Sequence, residues 1–427
     1  MKENSDPQRD ELLERVVHPA NMKAAWKQVA RNKGAAGVDG RDIAATKASL
    51  HEHWQELRNQ LLDETYKPYP VLRVEIPKPS GGVRKLGIPT VTDRVIQQAL
   101  TQVLTPIFDP GFSESSYGFR PGRSAHDAVR QALKYQQDGQ QWVVDLDLKQ
   151  FFDEVNHDVL MARIGRKVKD KRIKRLINAY LKAGVVCSDG EHPTDKGTPQ
   201  GGPLSPFLSN VLLDDLDKEL ERRGHSFCRY ADDCNIYVRS QKAGERVMDS
   251  VTGYIEKVLR LKVNRKKSAV ARPWKRTFLG FTFIKVHGVM RIHIPESSLD
   301  KFRHKVKVLL HKGRGRNVSR FIREGLNPLL RGWLNYYRPG VSKRILRQLD
   351  FWIRRRMRCL IWRQWKRPAT RVRKLLSLGC SEEQSRTGWT RRGPWPCAGM
   401  PALKQTLDPA YFRKINLYGL LVNMATT

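Results

Sequence analysis

The chain has 427 residues, 40% of them hydrophobic, enough for two or three domains with substantial cores. Its 79 Lys and Arg against 43 Asp and Glu leave a formal charge of +36, a balance that calls for a polyanionic partner, nucleic acid first. No apolar run approaches the ~18 residues of a membrane span, residues 1–17 lack a signal peptide's apolar stretch, and six scattered cysteines without a Cys-x-x-Cys pair argue against zinc ribbons and knuckles and fit a reducing cytoplasm better than a disulfide scaffold.

Residues 1–65 read as helical, with Leu12, Leu13, Val16 and Val17, then Met22, Ala25, Trp26 and Val29, at helical spacing. The glycine-rich loop 32–40 interrupts the pattern and begins on Lys33 and Gly34. Residues 71–76 and 83–89 predict a hairpin around a Pro/Gly turn, with Lys78 and Arg84 near its tip. A basic tip is ordinarily a solvated one, and it becomes a phosphate clamp only where it faces a site. A helix is expected over 94–109, then a turn-rich loop holding Arg120 and Arg123 that enters a helix capped by Ser124. His126 has no second ligand at helical spacing and is expected to make a local structural bond.

The strand 142–148 carries Asp145 and Asp147 on one face. A carboxylate at the end of an apolar strand is costly without a partner or a task, so one of the two is expected to be structural. After a Gly/Pro-dense loop over 197–206, an apolar stripe predicts a helix over 207–223. Next comes the stretch that organises the chain, Phe227 to Val238. Two apolar runs flank Ala231-Asp232-Asp233, which reads as a hairpin presenting adjacent carboxylates. Aspartate is common in turns, yet two neighbouring anions need a countercharge, and a hard divalent cation supplies it through oxygen ligands. A strand is expected over 277–283. From residue 297 three apolar stripes predict three helices, and residues 341–375 carry thirteen Lys and Arg against the single acid Asp350. Residues 376–427 read as irregular, basic and aromatic, suited either to stacking on bases or to a loose cap.

Tyr230-Ala231-Asp232-Asp233, with Asp147-Leu148-Lys149 and Phe152-Asp153 before it and Gly197-Thr198-Pro199-Gln200-Gly201 between, resembles a reverse transcriptase. Tyr117 to Gly122, Leu279-Gly280-Phe281 and Gly332 to Tyr337 narrow the resemblance to the reverse transcriptase–maturases of bacterial group II introns. The match runs over roughly residues 10–420 in the family order, and the missing H-N-H cluster resembles the IIC type without an endonuclease domain. The resemblance implies an α+β right-hand polymerase with an antiparallel palm sheet and a helical thumb. It divides the chain into an N-terminal extension (1–65), fingers (66–140), palm (141–290), thumb or maturase domain (291–375) and a short basic DNA-binding-like region (376–427).

Carried over by residue, the resemblance makes Asp147, Asp232 and Asp233 the catalytic carboxylates. They are the expected ligands of two Mg2+ ions, with Mn2+ as a substitute and the Leu148 carbonyl as a further ligand. Lys78, Arg84, Phe152, Gln200 and Lys267 are the expected dNTP contacts, Phe152 sitting where a ribose 2′-hydroxyl would fall and Lys267 near the leaving pyrophosphate. Lys33, Gly34, Arg120, Arg123, Lys343, Arg344, Arg354, Arg355, Arg356 and Arg358 are the expected nucleic-acid contacts. Implied partners are intron RNA, an RNA template with a DNA or RNA primer, dNTPs and target DNA, with no membrane and the oligomeric state open. The expected function is RNA-directed DNA synthesis with assistance to splicing and retrohoming. The alternatives are an RNA-binding splicing factor that does no chemistry, or a domesticated relative serving repair or defence. The unbroken carboxylate set favours the polymerase.

Overall fold

The apolar spacing of the N-terminal stretch produces two helices, α1 (Leu12–Val17) and α2 (Pro19–Arg31), which bury Leu12, Leu13, Val16, Val17, Met22, Ala25 and Val29. The computed structural model describes residues 11–77 and 82–424, and the chain divides into two units, Met1–Arg276 and Thr277–Thr427. In the first unit α3 (Ile43–Leu62) is capped by Asp42, and the hairpin β1 (Val71–Pro77) and β2 (Val83–Ile88) follows. Helix α4 (Val91–Phe108) buries its apolar residues from Val91 to Phe108, with α2 against it. Ser124 caps α5 (Ala125–Gln137) through a reciprocal capping box with Asp127.

Strand β3 (Trp142–Leu146) leads through α6 (Phe151–Glu154), α7 (His157–Lys167) and α8 (Lys171–Lys182) to the short strands β4 (Val185–Cys187) and β5 (Gly190–His192). Helix α9 (Leu204–Arg222) buries an apolar face from Leu204 to Leu220 and packs on α4. It starts inside the Gly/Pro loop, because its last proline, Pro206, falls in the first turn, where no backbone N–H is needed. The hairpin β6 (Ser226–Tyr230) and β7 (Asp233–Val238), helix α10 (Gln241–Val258) and β8 (Ala269–Ala271) complete the unit. One sheet runs β2-β1-β4-β5, with β1 and β4 parallel. The other runs β6-β7-β3-β8 and is antiparallel throughout. Helices α5 and α10 pack against the second sheet, and β3 and β7 are accordingly buried along nearly their whole length.

The second unit opens with the hairpin β9 (Thr282–Val286) and β10 (Val289–His293). The expected strand at 277–283 starts only at Thr282, because Leu279 and Gly280 take φ of 51° and 80° and turn the chain. A Cβ at Gly280 would lie 2.8 Å from the Tyr337 hydroxyl, so glycine is required there on both counts. The helices are α11 (Glu296–Lys312), α12 (Val318–Phe321), α13 (Asn327–Tyr337), α14 (Lys343–Gln364) and α15 (Pro368–Ser377). The α+β class therefore holds, with a helical C-terminal region. No helix among the described residues is long and apolar enough to cross a membrane.

Residues 376–424 correct the irregular reading of the C-terminal stretch. They form α16 (Glu382–Ser385), α17 (Pro394–Cys397), α18 (Pro401–Thr406), α19 (Pro409–Lys414) and α20 (Leu420–Met424). Leu403, Leu407, Phe412 and Leu420 are buried in the same core as Leu349, Ile353 and Trp362. The buried Asp350 accepts from the Leu420 and Leu421 N–H groups at 2.9 and 3.0 Å, and Asn327 bonds the backbone of Asn416 and Tyr418. Helices of four to six residues are too short to display a 3.6-residue period, which is why the pattern did not register. Leu403→Ala is expected to destabilise this unit by about 2–5 kcal/mol in denaturant unfolding. A cost near zero would show that the segment is not part of the core.

Candidate active site

The β6–β7 hairpin closes on the pair Tyr230–Asp233, with Ala231 held at φ 57° and Asp232 at the tip. Strand β7 also pairs with β3, Leu146 opposite Cys234, so Asp147 emerges from the end of β3 in line with Asp233. The Asp147 backbone is pinned there. Its N–H donates to Ser268 Oγ at 3.0 Å and its carbonyl accepts from the Asn264 N–H at 2.8 Å. The next bond in this bridge comes from the Lys149 N–H to the Lys262 carbonyl, so the ladder engages the residues on either side of Leu148.

The electrostatics separate four carboxylates into two kinds. Asp145 has its own cation, accepting from Arg276 Nε at 2.7 Å, although burial still raises its pKa. Asp232 is raised first by burial and then by Asp147, with Arg84 and Arg229 opposing. Asp233 is pushed up to about 7 by burial and by the charges of Asp145, Asp232 and Asp147. Lys267 Nζ stands 3.9 Å from Asp147 Oδ2, too exposed to neutralise the group alone. Asp147, Asp232 and Asp233 thus share an excess negative charge and offer hard oxygen donors, a set that fits Mg2+ or Mn2+ and not a thiophilic metal. Their oxygens are not drawn to ligand-sharing distance. Among the described residues, the three-residue group whose donor atoms all lie within 4.8 Å is Cys187, Asp189 and His192.

Beneath the hairpin lies a group that sequence reasoning missed. Arg229 and Asp217 are fully buried and paired, with Arg229 Nε 2.7 Å from Asp217 Oδ1. The same guanidinium donates to Asn210 Oδ1 and to the Ala231 carbonyl, both at 3.0 Å, and to Ser116 Oγ at 2.8 Å. Asn210 in turn donates to the Gly118 carbonyl at 2.8 Å. A Cβ on Gly118 would come within 2.4 Å of the Ala231 nitrogen, so the 116–118 loop lies directly on the turn. The signal was present as Arg229 in the apolar run Phe227-Cys228-Arg229-Tyr230 and Asp217 beside the stripe residue Leu216.

The 197–201 loop joins two further expected residues. The Thr198 N–H donates to the Phe152 carbonyl at 2.6 Å, and the Gly87 N–H of β2 donates to the Gln200 carbonyl at 2.8 Å. A Cβ at Gly201, φ 139°, would sit 2.4 Å from the Gly87 carbonyl oxygen, so only glycine lets the loop meet β2. Phe152 is half-buried edge-on against Phe151. Lys78 lies outside the described residues.

Two expected nucleic-acid contacts are corrected. Arg120 is buried, paired with Asp109 and bonded to the Ser113, Ser116 and Asp109 carbonyls. Arg358 is buried and donates to the Ala398 and Leu407 carbonyls at 3.0 and 3.2 Å. A guanidinium whose donors are used inside the protein is not available to a phosphate. Arg123 is tied to Glu114. Lys33, Lys343 and Arg344 are exposed, while Arg354 is half-buried. Arg355 and Arg356 lie 4.0 and 4.3 Å from the Trp395 ring centroid. Gly34 packs on Arg94, beside a groove of ≈ 530 Å3 lined by Asn32, Arg94, Phe119, Gly202 and Phe207.

Two family models match the chain: reverse transcriptase (RNA-dependent DNA polymerase) over residues 76–283, and the group II intron maturase-specific domain over 299–378. Protein YkfC of Escherichia coli (strain K12) is 33% identical over 349 residues, covering 71% of this chain and 92% of that protein. Group II intron-encoded protein LtrA of Lactococcus lactis subsp. cremoris is 39% identical over 218 residues, 51% of this chain and 36% of LtrA. A chain of the partial Cas6-RT-Cas1–Cas2 complex is 27% identical with a TM-score of 0.38, covering 58% of this chain and 42% of that one.

Arg229→Met would strand the buried Asp217 carboxylate and is expected to destabilise the first unit by about 3–5 kcal/mol. Adding Asp217→Leu should recover much of that loss in denaturant unfolding, since an apolar pair of similar volume leaves no unpaired charge. A double variant as unstable as the single one would contradict the pairing.

Proposed function

This chain belongs to the group II intron-encoded reverse transcriptases with a maturase-specific domain, and we propose that Asp147, Asp232 and Asp233 form its polymerase site. The family's activity is RNA-directed DNA synthesis, and its chemistry generally uses divalent metal ions. The reading rests on one observation above the others: the β3 end and the β6–β7 turn bring three carboxylates near one another, and no cation among the described residues offsets their charge.

Asp147 and Asp232, joined by Asp233 and the Leu148 carbonyl, would hold two Mg2+ ions, with Mn2+ as a substitute. When bound, such ions stabilise the attacking 3′-hydroxyl oxygen and the leaving pyrophosphate oxygens of a dNTP. The protein's own groups then bind and orient. Arg84, already close enough to act on Asp232, neutralises triphosphate charge together with Lys78. Lys267, next to Asp147, is suited to donate a proton to the leaving pyrophosphate. Phe152 would crowd a ribose 2′-hydroxyl, and Gln200, anchored through its backbone to β2, would line the nucleotide pocket.

RNA is the proposed polyanion for the basic surface: template along the Asn32–Phe119 groove with Lys33 at its side, and template–primer or intron RNA at Lys343, Arg344 and Arg354 to Arg356. Target DNA is proposed for the C-terminal segment. Its support is the exposed Trp389 and the arginine-stacked Trp395, an aromatic–cationic pairing suited to stacking on bases. The division into extension, fingers, palm, thumb and C-terminal region at 65, 140, 290 and 375 stays part of the proposal, as does a cytoplasmic location.

Primer extension on an RNA template tests the reading. Asp232→Ala is expected to lose cDNA synthesis by at least about 10³-fold while keeping wild-type RNA affinity and salt dependence. Lys343→Glu with Arg344→Glu should do the converse, weakening RNA binding and flattening its salt slope. Polymerisation retained by Asp232→Ala would overturn the carboxylate assignment.

A further inference from the structure

Cys187, Asp189 and His192 stand apart from every residue used above. They occupy the hairpin of β4 and β5, the outer edge of the sheet that carries β2 and Arg84. The register pairs Val185 with His192 and Cys187 with Gly190. Residues two apart share a strand face, so Cys187 and His192 are diagonal neighbours on one side of the hairpin. Gly190, φ 126°, sits opposite Cys187 and adds no side chain to that face. Ser188 and Asp189 make the turn, and Asp189 folds back until its Oδ1 is 3.2 Å from His192 Nε2. The thiol joins them, with all three donor atoms within 4.8 Å of one another.

We propose that this hairpin binds a thiophilic divalent transition metal of the Zn2+ or Co2+ class through Cys187 Sγ, Asp189 carboxylate and His192 Nε2. A tetrahedral zinc ion with Zn–N and Zn–O bonds of ~2.0–2.2 Å holds those two donors about 3.3 Å apart, close to the separation here. The sulfur, at ~2.3 Å from the metal, would need to stand about 3.6 Å from each of them, within reach of side-chain rotation at an exposed turn. Sulfur, nitrogen and oxygen together select Zn2+, Co2+ or Ni2+ over Mg2+. Binding releases the Cys187 thiol proton to solvent and leaves a fourth position for water, because Asp189 and His192 are mostly exposed. The metal would clip the turn and stiffen the edge of the sheet. The absence of a Cys-x-x-Cys pair does not speak against it, since the spacing here is Cys-x-Asp-x-x-His.

The five other cysteines are buried, so a thiolate signal is attributable to Cys187. The test is Co2+ titration of the full chain with excess Mg2+ present to occupy oxygen-donor sites. Wild type is expected to bind one Co2+ with a thiolate-to-cobalt charge-transfer band. Cys187→Ser should lose the band, and His192→Gln should weaken Co2+ binding at least tenfold. Bound Zn2+ should also shield Cys187 from alkylation. No band in the wild type, or a band that survives Cys187→Ser, would overturn the site. Primer extension by Cys187→Ser should stay near wild type, which separates this proposal from the polymerase reading.

Discussion

The buried Arg229–Asp217 pair is the constraint on which the placement of the first unit's aspartate turn depends. A two-residue turn bearing an aspartate cannot by itself fix where carboxylates point. Here one guanidinium bonds the turn's own carbonyl at Ala231, the helix beneath it through Asp217 and Asn210, and the overlying loop through Ser116. A buried ion pair is poor evidence for stability, because desolvation offsets most of the attraction. Its value lies in geometry: five planar donors in a fixed fork leave little freedom to the groups they meet. Gly118 completes the arrangement, since any side chain there would drive the loop off the turn.

That placement brings like charges together inside a protein whose net charge is +36. The cations are numerous, yet the described ones near the aspartates do not outweigh burial, and Arg84 opposes the rise at Asp232 without cancelling it. Arg276 serves Asp145, Arg229 serves Asp217, and Lys267 reaches only the edge of Asp147. Arg120 and Arg358 show the same economy in other places, each spent on backbone carbonyls inside the fold. The net charge is thus strongly basic while the three aspartates of the first unit keep an excess of negative charge, which suits the proposed nucleotide-joining chemistry.

Much of this was legible in the sequence. The hairpin announces itself through two apolar runs around Ala231-Asp232-Asp233, and the helical stripes after residue 296 follow a clear period. The preference for Asp147 over Asp145 comes from the family pattern, while Asp145 accepts a hydrogen bond from Arg276, a partner that no local pattern marks. What stayed hidden depends on long-range partners. Nothing local marks Arg276 as the mate of Asp145, or Arg120 as buried rather than exposed. The short helices after residue 381 hide behind prolines that start them instead of breaking them, as at Pro394, Pro401 and Pro409.

Among the described residues the cations do not offset the charge of Asp147, Asp232 and Asp233, and a divalent cation would supply the balance. Mn2+ affinity measured across neutral pH tests it most directly, in a Cys187→Ser background so that only oxygen-donor sites report. Asp233, raised to about 7, is protonated below that pH and must lose its proton for the site to carry full charge. Affinity is therefore predicted to fall as pH drops through about 7, and to lose that dependence in Asp233→Asn. Affinity that ignores pH in the parent chain, or that survives Asp232→Ala unchanged, would contradict the account.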